Sequence, residues 1–123
     1  MKKAILFLFI VLLTSACAGA GEGDPADIVE KYLQAKVDGE VDIIGTLLCS
    51  AMETNLERET RTFESVSDVR AVDMACERVE DSDTVSCEGK IVALYGAEET
   101  EFPLASYKVV QEDGEWKWCG EAP

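Results

Sequence analysis

Five cysteines constrain this chain more than any other feature of its sequence. One of them, Cys17, directly follows an apolar segment near the N-terminus, and the other four are Cys49, Cys76, Cys87 and Cys119. Paired cysteines occur in even numbers, so one of the five is expected to have a separate role. The four distal cysteines lack the C-x-x-C spacing of redox motifs and the short paired spacing of zinc sites. We therefore predict a domain held by disulfides and formed in an oxidising compartment.

Residues 1–16 have the pattern of a secretory signal peptide. Met1-Lys2-Lys3 is basic, residues 4–13 (AILFLFIVLL) are apolar, and small residues follow. The apolar run is shorter than the roughly 20 residues that a membrane-spanning helix needs. The sequence Leu-Thr-Ser-Ala-Cys at 13–17 resembles the lipobox of bacterial lipoproteins, although Thr14 stands where Leu is usual.

The lipobox resemblance implies that Cys17 becomes the first mature residue and carries acyl chains. The predicted organisation is then a signal peptide at 1–16, a lipidated Cys and flexible tether at 17–23, one domain at 24–120 and a tail at 121–123. The predicted location is the bacterial cell envelope, extracytoplasmic and attached to the membrane through the lipid on Cys17. Ordinary cleavage after Ala20 is the alternative, and it would give a secreted soluble form.

Composition limits the possible functions. The chain has 123 residues, enough for one domain, and its formal charge is −14. Loss of Lys2 and Lys3 on maturation would change that charge to −16. Such an acidic chain is not expected to bind nucleic acid. The sequence contains no His, which excludes catalytic systems that use a His base. The acidic surface favours solubility, and salt adaptation or attraction of cations or a basic partner are the alternatives.

Helices are predicted in the first half of the domain. Asp24-Pro25 is a typical helix start, and the apolar residues of 28–37 recur with helical period until Gly39. A second helix is predicted over 41–48. The S-x-x-E pattern beginning at Ser50 is that of a capping box and predicts a third, mostly polar helix.

Strands are predicted in the second half. Residues 69–79 and 84–95 are rich in β-branched residues, and 102–111 is predicted as a third strand with Pro103 near its start. Asp113-Gly114 predicts a hairpin that returns through residues 116–119. A turn centred between Asp81 and Ser82 would place Cys76 opposite Cys87. Four cysteines allow three pairings, and this register favours Cys76–Cys87 with Cys49–Cys119. The predicted fold is α+β, with N-terminal helices packed on a four-stranded antiparallel curved sheet.

Sequence motifs for catalysis and cofactor binding are scarce. We predict no metal site, because the acidic turn at 81–83 lacks the later ligands of a calcium loop. We predict no cofactor, because the sequence has no phosphate loop and no dinucleotide-binding fingerprint. A buried carboxylate beside a Tyr could still act as a base without His, with the strand residues Asp73, Glu77 and Glu88 as candidates. The aromatic residues that could line a pocket are Tyr32, Tyr95, Tyr107, Trp116 and Trp118.

The final hairpin, Tyr107 to Cys119 (YKVVQEDGEWKWC), and the Leu-Leu-Cys-Ser helix end at 47–50 resemble small bacterial lipoproteins. The family concerned is the nuclear-transport-factor-2-like superfamily, with a cystatin-like α+β cone, in its uncharacterised-domain branches. The superfamily contains both enzymes and binding modules, so the resemblance does not decide the activity. The signal sequence, the predicted disulfides and the absence of a catalytic set favour a non-catalytic, lipid-anchored domain that binds an unknown partner protein or small ligand at the concave sheet face. A small isomerase- or lyase-like enzyme is the alternative. No catalytic residue carries over from the family, and the oligomeric state does not follow.

Overall fold

The computed structural model describes residues 23–123. The predicted signal peptide, Cys17 and most of the predicted tether lie outside the described residues. Within residues 23–123, no helix has both the length and the apolar character needed to cross a membrane. The described part is α+β, with helices preceding an antiparallel sheet.

Helix α1 spans Pro25–Asp38 and begins and ends as its sequence predicts. The carboxylate of Asp24 accepts a hydrogen bond from the Ala26 N–H at 2.9 Å, and Pro25 fills the first helical position. Gly39 ends the helix at φ 67°, a left-handed conformation that glycine adopts without steric cost. The inward face of α1 buries Val29, Tyr32 and Leu33.

Two short helices follow α1. Helix α2 spans Val41–Leu47, and a 3-10 helix at Ser50–Asn55 leads into α3, Leu56–Thr60. The predicted capping box is wrong, because Ser50 does not cap this segment. Its N–H and hydroxyl instead donate to the Glu112 carboxylate, with the hydroxyl at 2.6 Å. The Glu112 carboxylate, 62 residues away in the sequence, therefore takes the place of Glu53 as the acceptor for Ser50.

The sheet has five antiparallel strands: β1 Ser67–Arg78, β2 Thr84–Tyr95, β3 Glu98–Pro103, β4 Ser106–Glu112 and β5 Glu115–Glu121. Its order is β1-β2-β4-β5, and β3 pairs with β2. Strand β2 thus has two neighbours on one side, β4 along residues 84–86 and β3 along residues 90–95. The helices lie on the face that buries Val85, Tyr107, Val109 and Trp118.

The predicted count of four strands is therefore wrong. The polar stretch after Gly96 forms β3 because a two-residue turn pairs Tyr95 with Glu98. Its glutamates are tolerated at an edge strand, where charged side chains stay in water. The single predicted strand at 102–111 is divided by Leu104-Ala105, which still bond to β2 through the Gly89 and Cys87 backbone. The last strand also extends to Glu121, into the segment predicted as a tail.

Two irregularities bend β1. Its pairing with β2 shifts register between Ser67 and Arg70 and again between Val72 and Ala75. At the second shift Asp73 has φ 53°, as in a β-bulge. Gly89 lies opposite, where a Cβ would come within 2.5 Å of the Asp73 carbonyl oxygen. This close approach requires glycine and increases the local twist of the sheet.

The two disulfides connect the pairs favoured by the sequence. Cys76 and Cys87 are direct cross-strand neighbours in β1 and β2, with Cα atoms 4.1 Å apart. Cys49 and Cys119 join the end of α2 to β5 across 70 residues of sequence. The Cys49 N–H also donates to the Trp118 carbonyl oxygen at 2.9 Å, so the chain after α2 runs alongside β5.

Candidate functional site

A cavity of about 480 Å³ lies between the C-terminal half of α1, the segment around α3 and the helix-covered face of the sheet. This volume falls within the range of small-molecule binding sites. Most of its lining is apolar or aromatic, from Leu33, Met52, Phe63, Ile91, Tyr95, Phe102, Pro103, Leu104, Tyr107 and Trp118. The polar side chains of the lining are those of Lys36, Arg58, Glu59, Thr62 and Glu121, and Gly120 completes it.

One end of the cavity is an aromatic wall. The Phe63 and Phe102 rings meet edge to face with centroids 6.1 Å apart, and Tyr95 approaches Phe102 at 6.3 Å. Tyr95 is an exposed large hydrophobic side chain, whereas Phe63 and Phe102 are half-buried. The wall exists because β3 and the loop after α3 approach each other. It offers ring faces and edges to an apolar ligand.

The other end contains a buried ion pair. Glu59 on α3 is 7% exposed, and its Oε2 accepts hydrogen bonds from the Tyr32 hydroxyl at 2.9 Å and from Lys36 Nζ at 2.6 Å. The Lys36 ammonium also lies 5.8 Å from the ring centroids of both Tyr32 and Trp118. The Glu59 carboxylate and the rings of Tyr32 and Trp118 thus surround one side of this ammonium, a favourable setting for a partly desolvated cation.

Tyr32 lies beneath the cavity rather than in its lining. Its ring is fully buried and stacks on Trp118 with centroids 4.1 Å apart. Burial and the adjacent Glu59 carboxylate raise the pKa of Tyr32 far above its ordinary value. Its phenol therefore remains a hydrogen-bond donor to Glu59 throughout the physiological pH range. Burial also raises the pKa of Tyr107, whose hydroxyl oxygen accepts a hydrogen bond from the Ala105 N–H at 3.2 Å.

The charged groups at the cavity balance one another. Lys36 is compensated by Glu59, and Arg58 reaches only to 3.9 Å from Glu59 Oε1 with a largely exposed side chain. Glu121 supplies a second acid at the rim. Within residues 23–123, no group of three or more acidic or cysteine side chains is placed to hold a metal ion. The site is thus suited to a ligand that is mainly apolar.

The structure distributes the five predicted pocket aromatics over different places. Tyr95, Tyr107 and Trp118 line the cavity, and Tyr32 supports it from below. Trp116 lies outside it, in a separate depression. In the described part of the chain, the Trp118 indole N–H is buried and lacks an acceptor.

The buried carboxylate was not among the sequence candidates. The strand residues Asp73, Glu77 and Glu88 are all exposed, whereas Glu59 comes from a helix that is polar almost throughout. Glu57 and Arg61, which flank Glu59 in the sequence, form the expected ion pair on the surface, with Arg61 Nη1 3.2 Å from Glu57 Oε1. No local pattern distinguishes Glu59 from Glu57, because its burial depends on where α1 and β5 pack.

Comparisons with known proteins support the fold alone. No protein-family profile and no curated protein sequence matches this chain. Among solved structures, a SEC-C motif-containing protein from Rhodopseudomonas palustris is similar with a TM-score of 0.56 and 14% sequence identity. The match covers 81% of this chain and 79% of that protein. At this identity the similarity indicates a shared architecture and carries no functional residue.

Proposed function

We propose that this protein is a non-catalytic binding domain that holds a small, mainly apolar ligand in the cavity between α3 and the sheet. The observation that carries this proposal is the cavity itself, about 480 Å³ in volume and walled by aromatic and aliphatic side chains. Burial of such a ligand would remove its apolar surface and that of the wall from water, at about 25 cal/mol per Å².

The geometry of the polar end favours binding over catalysis. Glu59 already accepts from Tyr32 and Lys36, and Tyr32 has no exposed surface through which to reach a substrate. A general base must come within hydrogen-bond reach of the proton that it removes. The Glu59–Lys36 pair instead provides a fixed polar boundary, against which a polar group of the ligand could be oriented.

A probe-binding measurement tests this proposal. We expect 1-anilinonaphthalene-8-sulfonate to bind the folded protein with saturable fluorescence enhancement. A Thr62→Phe substitution should weaken that binding because Thr62 is an exposed residue of the lining, and a phenyl group there occupies cavity space. Ser65→Phe is the matched control, since Ser65 is exposed three residues later and lies outside the lining.

Circular dichroism melting of each variant separates lost binding from lost folding. Equal probe affinity in the two folded variants would refute the assignment of the site to this cavity. Absence of saturable binding to the native chain would count against a small-ligand function and favour a partner protein at the same sheet face.

The contact between Glu59 and Tyr32 favours one second candidate, a small isomerase- or lyase-like enzyme. Such an enzyme would use the Glu59 carboxylate as base after a substrate displaces Lys36, with the buried Tyr32 phenol holding that carboxylate in place through its hydrogen bond. Deuterium exchange into the position next to a ligand carbonyl, followed by NMR in D₂O, would reveal this chemistry. Loss of exchange in Glu59→Gln with binding retained would support the enzyme.

We further propose that the domain is a lipoprotein of the bacterial cell envelope, attached to the membrane through acyl chains on Cys17. The signal-peptide pattern and the two disulfides support this location. The finer fold assignment to a nuclear-transport-factor-2-like or cystatin-like cone belongs to the same proposal, supported by helices that precede an antiparallel, bulged sheet. Mass spectrometry of the mature N-terminus tests the attachment, and an unmodified Cys17 would refute it.

A further inference from the structure

A second apolar depression lies at the other end of α1 and β5 from the cavity. The cavity is lined by α1 residues 33 and 36 and β5 residues 118–121, whereas this depression uses α1 residues 28 and 31 and β5 residues 115–117. Its volume is about 320 Å³. We call it the tether patch, formed by Gly23, Ile28, Lys31, Thr46, Leu47, Glu115, Trp116 and Lys117.

The centre of the tether patch is amphipathic. Trp116 is half-buried against the core, and the Arg78 guanidinium lies 5.1 Å from its ring centroid. Lys31 is exposed, and Lys117 Nζ donates to the Thr46 carbonyl oxygen at 2.6 Å. Two lysines therefore line the depression with this indole, and Arg78 approaches the ring from outside the lining. Glu115 lies 3.3 Å from Lys117 Nζ and offsets the charge of that lysine. Tryptophan with flanking lysine or arginine is typical of protein surfaces at the membrane interface.

The position of Gly23 connects this surface to the predicted lipid. Gly23 itself lines the tether patch and lies six residues after Cys17. At a maximum of about 3.6 Å per residue, the Cys17 Cα lies within about 22 Å of the Gly23 Cα. An acylated Cys17 would hold this end of the domain close to the bilayer, whereas the cavity lies at the other end of α1.

We propose that the tether patch is the surface that faces the phospholipid bilayer, with Trp116 in contact with the headgroup region. This inference rests on the lipid attachment proposed above. Attachment supplies a high local concentration of membrane, so a small patch is enough to orient the domain. The strongly acidic remainder of the domain is repelled by anionic lipids, which favours the same orientation. The ligand cavity then opens away from the membrane.

Tryptophan quenching tests this orientation, since the chain contains two tryptophans. The mature acylated protein is reconstituted into vesicles of phosphatidylethanolamine and phosphatidylglycerol that carry brominated acyl chains. In Trp118→Phe, where Trp116 alone emits, we expect loss of emission relative to vesicles without bromine. In Trp116→Phe, the buried Trp118 should keep its emission. If either variant fails to fold, the native protein still tests the contact, because unquenched emission from both tryptophans would refute it.

A charge reversal provides a matched pair of variants. Lys31→Glu should reduce the quenching of Trp116, because the new carboxylate disfavours approach to anionic headgroups. Lys108→Glu changes the formal charge equally on an exposed side chain of β4 and should leave quenching unchanged.

The outcomes separate the two proposals. An unacylated Cys17 by mass spectrometry refutes the lipid attachment and this inference with it. Acylated, vesicle-bound protein with unquenched Trp116 refutes the orientation alone. If Trp116 becomes buried only when a second protein is added, the patch binds a protein partner, and the bilayer contact is refuted.

Discussion

Removal of one partner of the buried ion pair should destabilise the domain far more than removal of both. The side chains of Lys36 and Glu59 are 13% and 9% exposed. In Lys36→Met, Glu59 keeps only the Tyr32 donor, because Arg58 is 3.9 Å away and too exposed to replace the ammonium. Truncating one member of a buried pair costs about 3–5 kcal/mol. This is a large share of a typical domain stability of about 5–15 kcal/mol.

The double variant Lys36→Met/Glu59→Gln removes both charges and keeps similar volumes. Replacement of a buried pair by uncharged residues is often close to neutral, so we expect a loss of less than about 2 kcal/mol. The two substitutions should therefore show a coupling free energy of several kcal/mol in a double-mutant cycle.

Urea unfolding at pH 7 measures these differences through tryptophan fluorescence, because Tyr32 stacks on Trp118. With a slope of about 2 kcal/mol per M, a loss of 3 kcal/mol lowers the midpoint by about 1.5 M. Arg58→Met is the control and should change stability by less than about 1 kcal/mol. Additive single-variant effects, or a loss under about 1 kcal/mol in Lys36→Met, would refute the reasoning.

Three further predictions concern the frame of the fold. Gly89→Ala should destabilise by at least about 2 kcal/mol in urea unfolding, whereas Gly96→Ala, with open space around its Cβ, should cost about 1 kcal/mol. Equal costs would contradict the close approach at the bulge. Because folding raises the pKa of Tyr32, the contribution of its phenol to the free energy of unfolding is complete below about pH 10 and is lost as pH rises further. Melting temperatures should fall above pH 10, less steeply in Tyr32→Phe, and parallel curves would refute this coupling. Double Ala substitution of Cys49 and Cys119 removes a bridge between residues 70 apart in the sequence. The loop-entropy relation predicts a loss of about 4.4 kcal/mol in the free energy of unfolding. A cost below about 1 kcal/mol would show that the unfolded chain gains little freedom.

Local signals predicted the elements that depend on local chemistry. The α1 ends follow from Asp24 and Gly39, and the Asp113-Gly114 hairpin forms as predicted, with Val109 opposite Trp118. The pairing of Cys76 with Cys87 followed from the turn between their strands. In each case a few adjacent residues fix the geometry, so the sequence contains the relevant information within one turn.

Features that depend on distant contacts were not predictable in this way. Strand β3 is rich in glutamate, and it forms because β2 offers a free edge beyond its pairing with β4. Ser50 had a local capping partner in the sequence, but Glu112, 62 residues away, takes its hydrogen bonds. The burial of Glu59 likewise arises from α1, which supplies both of its short hydrogen bonds. These tertiary contacts form the cavity, and no local sequence motif predicts it.

The divided pairing of β2 has a consequence for how a ligand enters. Strand β3 hydrogen-bonds only to β2 within the described sheet, and it carries Phe102, part of the aromatic wall. It can separate from residues 90–95 while β4 stays paired at residues 84–86. Local opening of such an edge needs much less free energy than global unfolding. Amide hydrogens of β3 should then exchange with solvent faster than those of β4, and a bound ligand should slow the exchange of the β3 amides. Ligand would enter the cavity when β3 opens.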